Sequence, residues 1–150
     1  MESEIKVRLI KHVNFLQEEL KDFEGFKSLS WEEYNLSRDK RRNVERWVEN
    51  IINSSIDIAK IILTSEGLTL PDTYREVVVS LSLVSAFDKN NMEDLSKWVK
   101  LRNIITHEYL DIRWKSIRRF IKEAEPMYNS FLETFNLYFK ENCDLNQDTS

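Results

Sequence analysis

Apolar residues recur along most of this chain at intervals of three and four, the spacing of a helix with one buried side. A first helix over about residues 2–22 is predicted by Ile5, Leu9, Val13, Leu16 and Leu20. Gly25 interrupts the pattern, and a second helix starts where Ser30 is followed three positions later by Glu33, the spacing of a capping box. We expect it to reach about residue 64, along the stripe Val44, Trp47, Val48, Ile51, Ile58, Ala59 and Ile62.

A third helix is predicted over about residues 72–87. Gly67 suits the end of the preceding helix, and Pro71 suits the first turn of the next one. The core of this segment, VVVSLSLV, also alternates as a strand does. We favour a helix because the segment lies among helices and has no partner strand in the sequence.

Two more helices are predicted in the last third of the chain. Asn91 is a candidate N-cap for a fourth helix over about 92–109, because its side chain can accept a backbone hydrogen bond. Asp111 can cap a fifth helix over about 112–140 in the same way.

The composition also favours helices. Only two glycines and two prolines occur among the 150 residues, whereas an all-β fold needs many turns built from both. The sequence therefore predicts an all-α, up-and-down bundle of about five helices. Residues 1–142 form one domain in this interpretation, and the polar residues 143–150 form a disordered tail. The four tryptophans are expected in the core or at an interface, at Trp31, Trp47, Trp98 and Trp114.

Charge and cysteine content narrow the class of protein. The formal net charge of −4 and the pI near 5.3 argue against a general DNA-binding protein. Cys143 is the single cysteine, which excludes an internal disulfide and suits a reducing cytoplasm. The N-terminal residues are charged from Glu2 onward, unlike a signal peptide, and no run of about 18 apolar residues predicts a membrane span.

A polar cluster occurs in LRNIITHEYLDIRW, residues 101–114. At about 100° per residue, one side of the fourth helix carries Arg102, Asn103, Thr106, His107 and Tyr109. The opposite side carries Trp98, Leu101, Ile104 and Ile105. The polar set is therefore presented outward on a rigid helix, either as an ordinary solvated surface or as a functional site.

Arg102 and His107 have side chains that together can support RNA cleavage without a metal ion. Histidine transfers protons near neutral pH, and arginine binds a phosphate through two parallel hydrogen bonds. This pair suits attack of a 2′-hydroxyl on the neighbouring phosphate, where charge develops on the phosphoryl oxygens. Acid–base chemistry usually needs two proton carriers, and a symmetric dimer supplies the second histidine.

Basic side chains follow this cluster within one short segment, at Arg113, Lys115, Arg118 and Arg119. A second basic cluster, SRDKRRNVERW, occupies residues 37–47. Either cluster can attract RNA despite the negative net charge. Salt-bridged helix surfaces are an equally good interpretation of both.

The pattern Arg102-Asn103-x-x-x-His107-x-Tyr109 resembles the Arg-x4-His-x-Tyr motif of HepT-like proteins, a branch of the HEPN superfamily. The surrounding sequence is similar as well. RRNVERWVENIINSSIDIAKIIL resembles the long second helix of that family, LPDTYREVVVSLSLV its next segment, and LSKWVKLRNIITHEYLDIRWKSI its motif helix. The resemblance covers about residues 1–140.

This resemblance implies an all-helical homodimer in which two motifs line one cleft. Many members are metal-independent ribonucleases and act as toxins, and an MntA-like minimal nucleotidyltransferase silences them as the antitoxin by transferring AMP to the motif tyrosine. Arg102 and His107 are then catalytic, Asn103 supports them, and Tyr109 accepts AMP, with no cofactor. The alternative is a non-catalytic helical module that docks the nucleotidyltransferase.

Overall fold

The computed structural model describes the backbone of residues 1–148 and the side chains of residues 1–142. It confirms the predicted all-α class. Its helices are α1 (Ser3–Leu20), α2 (Phe23–Phe26), α3 (Trp31–Leu36), α4 (Arg38–Ser65), α5 (Tyr74–Ser80), α6 (Lys89–Ser96), α7 (Leu101–His107) and α8 (Leu110–Asp148). Short 3-10 helices follow α5 at Leu81–Leu83 and join α6 to α7 at Lys97–Lys100. Among the described residues, no helix is long and apolar enough to cross a membrane.

The core lies between the three long helices α1, α4 and α8, which all contact one another, and α5, α6 and α7 pack onto this frame. Aromatic rings fill its centre: Phe23 stacks on Phe120 at 5.5 Å, and Trp47 meets both rings edge-on. The expectation for the tryptophans is confirmed, because Trp47, Trp98 and Trp114 are buried and Trp31 packs against the core.

The capping box at Ser30 is present, but the single long second helix is not. Ser30 Oγ accepts a bond from the Glu33 N–H at 3.1 Å, and the Glu33 carboxylate accepts one from the Ser30 N–H at 3.2 Å. The helix nevertheless ends at Leu36, because Ser37 is extended (φ −102°, ψ 106°). Ser37 Oγ then caps α4 by accepting from the Lys40 N–H at 3.3 Å, so a second serine cap starts a new helix before the apolar stripe begins at Val44.

Gly67 ends α4 as predicted. Its φ of 74° allows the Leu68 N–H to bond the Leu63 carbonyl at 2.9 Å and the Gly67 N–H to bond the Thr64 carbonyl at 3.1 Å, which is a Schellman motif. The prediction that Pro71 lies in the first turn of the next helix is wrong. That helix begins at Tyr74, and Thr73 caps it by accepting from the Glu76 N–H at 3.2 Å. That helix, α5, also ends earlier than predicted.

The predicted fourth helix is three helical segments, α6, the 3-10 turn Lys97–Lys100 and α7. Its N-cap is Asp88 rather than Asn91, since Asp88 Oδ2 accepts from the Asn91 N–H at 3.0 Å. The last helix begins at Leu110, before the predicted cap Asp111, and its backbone is helical to Asp148, beyond the predicted end near 140. The side chains of 143–150 lie outside the described residues, so the proposed disordered tail stays a prediction.

Candidate functional site

The motif residues stand on α7, which is held by its apolar side. Leu101 and Ile105 are buried where α7 packs on α4 and α8. Asn103, Thr106 and His107 are exposed on the other side. This confirms the predicted division between a buried apolar side and an outward polar side.

Arg102 is half-buried and rests on an aromatic ring from another helix. Its guanidinium carbon lies 4.6 Å from the centroid of the Tyr74 ring, at the first residue of α5. Lys60 Nζ on α4 lies over the same ring, also at 4.6 Å. A cation over an aromatic face is attracted by the negative charge of the ring face, so Tyr74 connects two cations from two other helices.

Arg102 and Tyr74 line an open groove of about 630 Å³, called the Tyr74 groove below. It lies between α4, the start of α5 and the polar side of α7. Its other lining residues are Glu49, Asn53, Asp72, Thr73, Arg75, Val99, Lys100, Asn103 and Thr106. Three cationic and two anionic side chains therefore border it, and the cations can pair with a phosphate chain.

The environment of Glu49, an acidic residue that lines this groove, disfavours the charged form of its side chain. Burial raises the pKa of Glu49, and the neighbouring carboxylate of Glu45 raises it further. Arg102 and Arg46 act in the opposite direction without cancelling the rise. Glu49 therefore holds its charge beside Arg102 less readily than a free glutamate does.

His107 ends α7 and does not line the Tyr74 groove. On a helix, positions five apart point about 140° away from each other. Arg102 therefore faces Tyr74, while His107 points to solvent at a different angle. The two side chains of one chain therefore leave α7 in different directions.

Tyr109 lies past the end of α7, so the helical angle that placed it beside Arg102 is wrong. Glu108 is extended (φ −93°, ψ 163°), and the Tyr109 carbonyl accepts the first helical bond of α8 from the Arg113 N–H at 3.0 Å. The Tyr109 side chain is 83% exposed, which leaves its hydroxyl open to a reaction partner. We call residues 107–110 the corner.

Arg113, a candidate for RNA contact, instead fastens the corner. Its Nε donates to the Glu108 carbonyl at 2.7 Å, and its Nη1 lies 3.4 Å from a carboxylate oxygen of Glu45 on α4. That oxygen also accepts from the Tyr34 hydroxyl at 2.6 Å. Burial, and then the bond to Glu45, raise the pKa of Tyr34. These contacts occupy a partly buried guanidinium, so Arg113 presents little of its charge to an external ligand.

The other basic candidates differ in whether their side chains form ion pairs or hydrogen bonds within the chain. Lys115 and Arg118 are exposed on α8 and form no ion pair within the described part of the chain. Arg119 Nε pairs with Glu123 at 2.9 Å one helical turn away. In the earlier cluster, Lys40 pairs with Glu33 and Arg41 donates to the carbonyls of Tyr34 and Asn35. Lys40 and Arg41 therefore stabilise the junction between α3 and α4, whereas the other basic residues of the cluster, Arg38, Arg42 and Arg46, are exposed.

Sequence patterns gave no signal for three residues that shape the site. Tyr74 and Lys60 approach Arg102 only through packing of α5 on α4, and Glu45 meets Arg113 from 68 positions away. No periodicity or motif connects such distant positions. Among the described residues, no three His, Cys, Asp or Glu side chains are grouped closely enough to hold a metal ion.

Three solved toxin–antitoxin structures share the fold of this chain. A tri-AMPylated Shewanella oneidensis HEPN toxin in complex with its MNT antitoxin is 18% identical, with a TM-score of 0.74, covering 91% of this chain and 99% of that one. A tyrosine-to-alanine mutant of the MntA–HepT toxin–antitoxin is 16% identical, with a TM-score of 0.74, covering 86% and 97%. A toxin–antitoxin structure with AMP-PNP is 17% identical, with a TM-score of 0.72 and the same coverage.

The fold and the outward motif thus define a protein of the HEPN class. The family model described as ribonuclease HepT-like matches residues 16–135, and the chain belongs to that family. None of the curated proteins compared with it matches at a significant level. The resemblance inferred from the motif and its surrounding sequence is confirmed.

Proposed function

We propose that this protein is a metal-independent endoribonuclease that acts as the toxin of a toxin–antitoxin pair in the cytoplasm. Arg102 and His107 are its catalytic residues, Asn103 supports them, and a symmetric homodimer completes the site. An MntA-like nucleotidyltransferase is its antitoxin and silences it through AMP transfer to Tyr109.

The observation that carries this proposal is how α7 presents its motif. A chain of the ribonuclease HepT-like family holds Arg102 at the edge of an open groove and His107 fully outward. Arg102 lies in the same groove as the Glu49 carboxylate without forming an ion pair with it. Within the described residues, the Arg102 guanidinium forms no ion pair and donates no hydrogen bond, so its donors are available to a phosphate.

The chemistry follows from these two side chains. An imidazole of His107 removes the proton from the RNA 2′-hydroxyl, whose oxygen attacks the adjacent phosphorus. The bond from phosphorus to the 5′-oxygen breaks, and a second imidazole supplies the proton to that leaving oxygen. The products are a 2′,3′-cyclic phosphate and a 5′-hydroxyl. Arg102 stabilises the charge on the phosphoryl oxygens in the transition state.

The divergence of Arg102 and His107 supports a site shared between two copies. One chain offers a single histidine at the motif, whereas the reaction uses two proton carriers. In a two-fold symmetric pair each surface meets its own copy, so two outward α7 faces bring two histidines and two arginines to one cleft.

The position of Tyr109 supports its role as the AMP acceptor. Its hydroxyl oxygen attacks the α-phosphorus of ATP, pyrophosphate leaves, and a tyrosine–AMP phosphodiester forms. The exposed corner gives an enzyme access to this hydroxyl. The attached group adds a negative charge and an adenosine two residues from His107, which repels and blocks the RNA phosphate chain.

Incubation of the pure protein with total RNA in EDTA tests the proposal on a denaturing gel. We expect cleavage by the wild type and none by His107→Ala. The matched control is His12→Ala, which changes the other histidine, on α1 at 3.9 Å from Asp57, and keeps cleavage. Size-exclusion chromatography verifies that all three proteins have the same oligomeric state.

The alternative function, a non-catalytic module that docks the nucleotidyltransferase, gives a different pattern. Protein shown by intact mass to lack AMP then cleaves no RNA, yet binds the partner and becomes modified at Tyr109. Equal cleavage by wild type and His107→Ala contradicts the catalytic assignment of His107.

A further inference from the structure

The Arg102 guanidinium lies over the ring of Tyr74, with its central carbon 4.6 Å from the ring centroid. A guanidinium stacks through its face, while its five N–H donors project from its edges in the same plane. The contact with Tyr74 therefore holds the group in place without an ion pair to a carboxylate. A carboxylate partner fixes an arginine as well, but it occupies the donors that a phosphate needs.

The Tyr74 ring is itself well placed to act as a support. It is the first residue of α5, and the cap that Thr73 provides at 3.2 Å fixes the backbone there. Val77 and Val78, one turn further along α5, are buried in the core. Lys60 contacts the same ring at 4.6 Å, which restricts the rotation of the ring further.

We propose that Tyr74 is a positioning residue for the site: it holds the Arg102 guanidinium over its ring, so that the group stays at the groove without an ion pair and its donors remain available to a substrate phosphate. This inference rests on the proposed function for its substrate, an RNA phosphodiester. Tyr74 acts through Arg102, and it does not itself bind RNA.

The orientation of Arg102 is measured first, in the free protein. A ring face shifts the resonances of protons stacked on it upfield, so NMR of the Arg102 side chain reports the contact directly. We expect an upfield-shifted Arg102 signal in the wild type, the same signal in Tyr74→Phe, and loss of the shift in Tyr74→Leu. An unshifted wild-type signal overturns the inference.

A double-mutant cycle then asks whether Tyr74 acts through Arg102. The probe is an RNA oligonucleotide with 2′-O-methyl groups, which binds but cannot be cleaved. We expect Tyr74→Leu to weaken binding about 10-fold, because a mobile Arg102 side chain must then be ordered on binding, and Tyr74→Phe to preserve it. In an Arg102→Ala background, Tyr74→Leu has no further effect. An equal loss in both backgrounds means that Tyr74 contacts RNA directly, which contradicts the inference.

The control for loss of an exposed aromatic ring is Phe15→Leu on α1. Phe15 is 45% exposed and Tyr74 46% exposed, so the two changes remove similar surface, and we expect Phe15→Leu to leave binding unchanged. If the wild type binds no RNA at all, the proposed function fails. The NMR comparison then still decides whether Tyr74 orders Arg102.

Discussion

Arg113 Nε donates to the carbonyl oxygen of Glu108 at 2.7 Å, across the corner that separates His107 from α8. The same guanidinium reaches Glu45 on α4 at 3.4 Å. The loop that carries the proposed AMP acceptor, Tyr109, is thereby fastened to the longest helix of the first half of the chain. These contacts fix the backbone of the corner while the Tyr109 side chain stays exposed to solvent.

Replacing Arg113 with alanine removes this fastening. We expect a loss of about 1–3 kcal/mol in the free energy of unfolding, because the partly buried Glu45 carboxylate and the Glu108 carbonyl each lose a partner. Urea titration followed by circular dichroism measures it. Arg119→Ala is the matched control, since its exposed pair with Glu123 contributes less than about 0.5 kcal/mol. Equal losses in the two variants contradict the structural role of Arg113.

Glu49→Gln is expected to raise the melting temperature, and more at neutral pH than in acid. The folded state raises the pKa of Glu49 above its ordinary value of 4.5, so the fold favours the protonated carboxyl. This stabilisation is complete below pH 4.5 and is lost as the pH rises through the folded pKa. Calorimetry at pH 4 and pH 7 measures the difference between variant and wild type.

The control for that experiment is Glu18→Gln. Glu18 is exposed on α1 and paired with Lys21. Glu18→Gln therefore changes the net charge by the same amount as Glu49→Gln, but at a solvent-exposed position. We expect no gain in melting temperature at pH 7. A gain for Glu18→Gln as large as that for Glu49→Gln assigns the effect to net charge and not to burial.

Tyr109→Phe is expected to abolish acceptance of AMP and to leave RNA cleavage intact. The variant lacks the hydroxyl oxygen that attacks the α-phosphorus, and it keeps the ring at the exposed corner. Intact mass after incubation with ATP and an MntA-like nucleotidyltransferase shows the modification. Tyr74→Phe is the control because it removes a different exposed hydroxyl and keeps the added mass of AMP. Modification of Tyr109→Phe to the wild-type extent excludes Tyr109 as the acceptor.

Lys115→Ala and Arg118→Ala are expected to reduce the salt dependence of RNA binding. Each phosphate contact that is lost lowers the slope of log K against log salt by about 0.7 for a single strand. Binding of the 2′-O-methyl oligonucleotide at several salt concentrations measures the slope. Lys11→Ala, an exposed cation on α1 away from the motif, serves as the control. Unchanged slopes in both test variants place the RNA elsewhere.

Predictions of helix ends were correct where they depend on one residue and the backbone next to it. The capping box of Ser30 and the Gly67 stop are both decided within five residues, and the apolar side of α7 follows from periodicity alone. Helix boundaries failed where two local caps competed. Asp88 and not Asn91 caps α6, and Ser37 separates α3 from α4 although the sequence analysis predicts one helix there.

The contacts around the motif were harder to predict from the sequence. Angles on an ideal helix placed Tyr109 beside Arg102, because nothing in the pattern showed that Glu108 turns extended. The role of Arg113 was missed for a related reason: its charge is visible in the sequence, whereas Glu45 is brought to it only by folding. Charge counts therefore overestimated the cations that are free for RNA.

The angle between Arg102 and His107 has a consequence for the amount of protein a cell must contain. If neither residue can complete a site in its own chain, activity per molecule falls as the protein is diluted below the dissociation constant of its dimer. The rate then depends on the square of the concentration. Under the proposed function, trace synthesis of such a chain is expected to be harmless, and a modest rise in its level is expected to produce a steep onset of RNA loss.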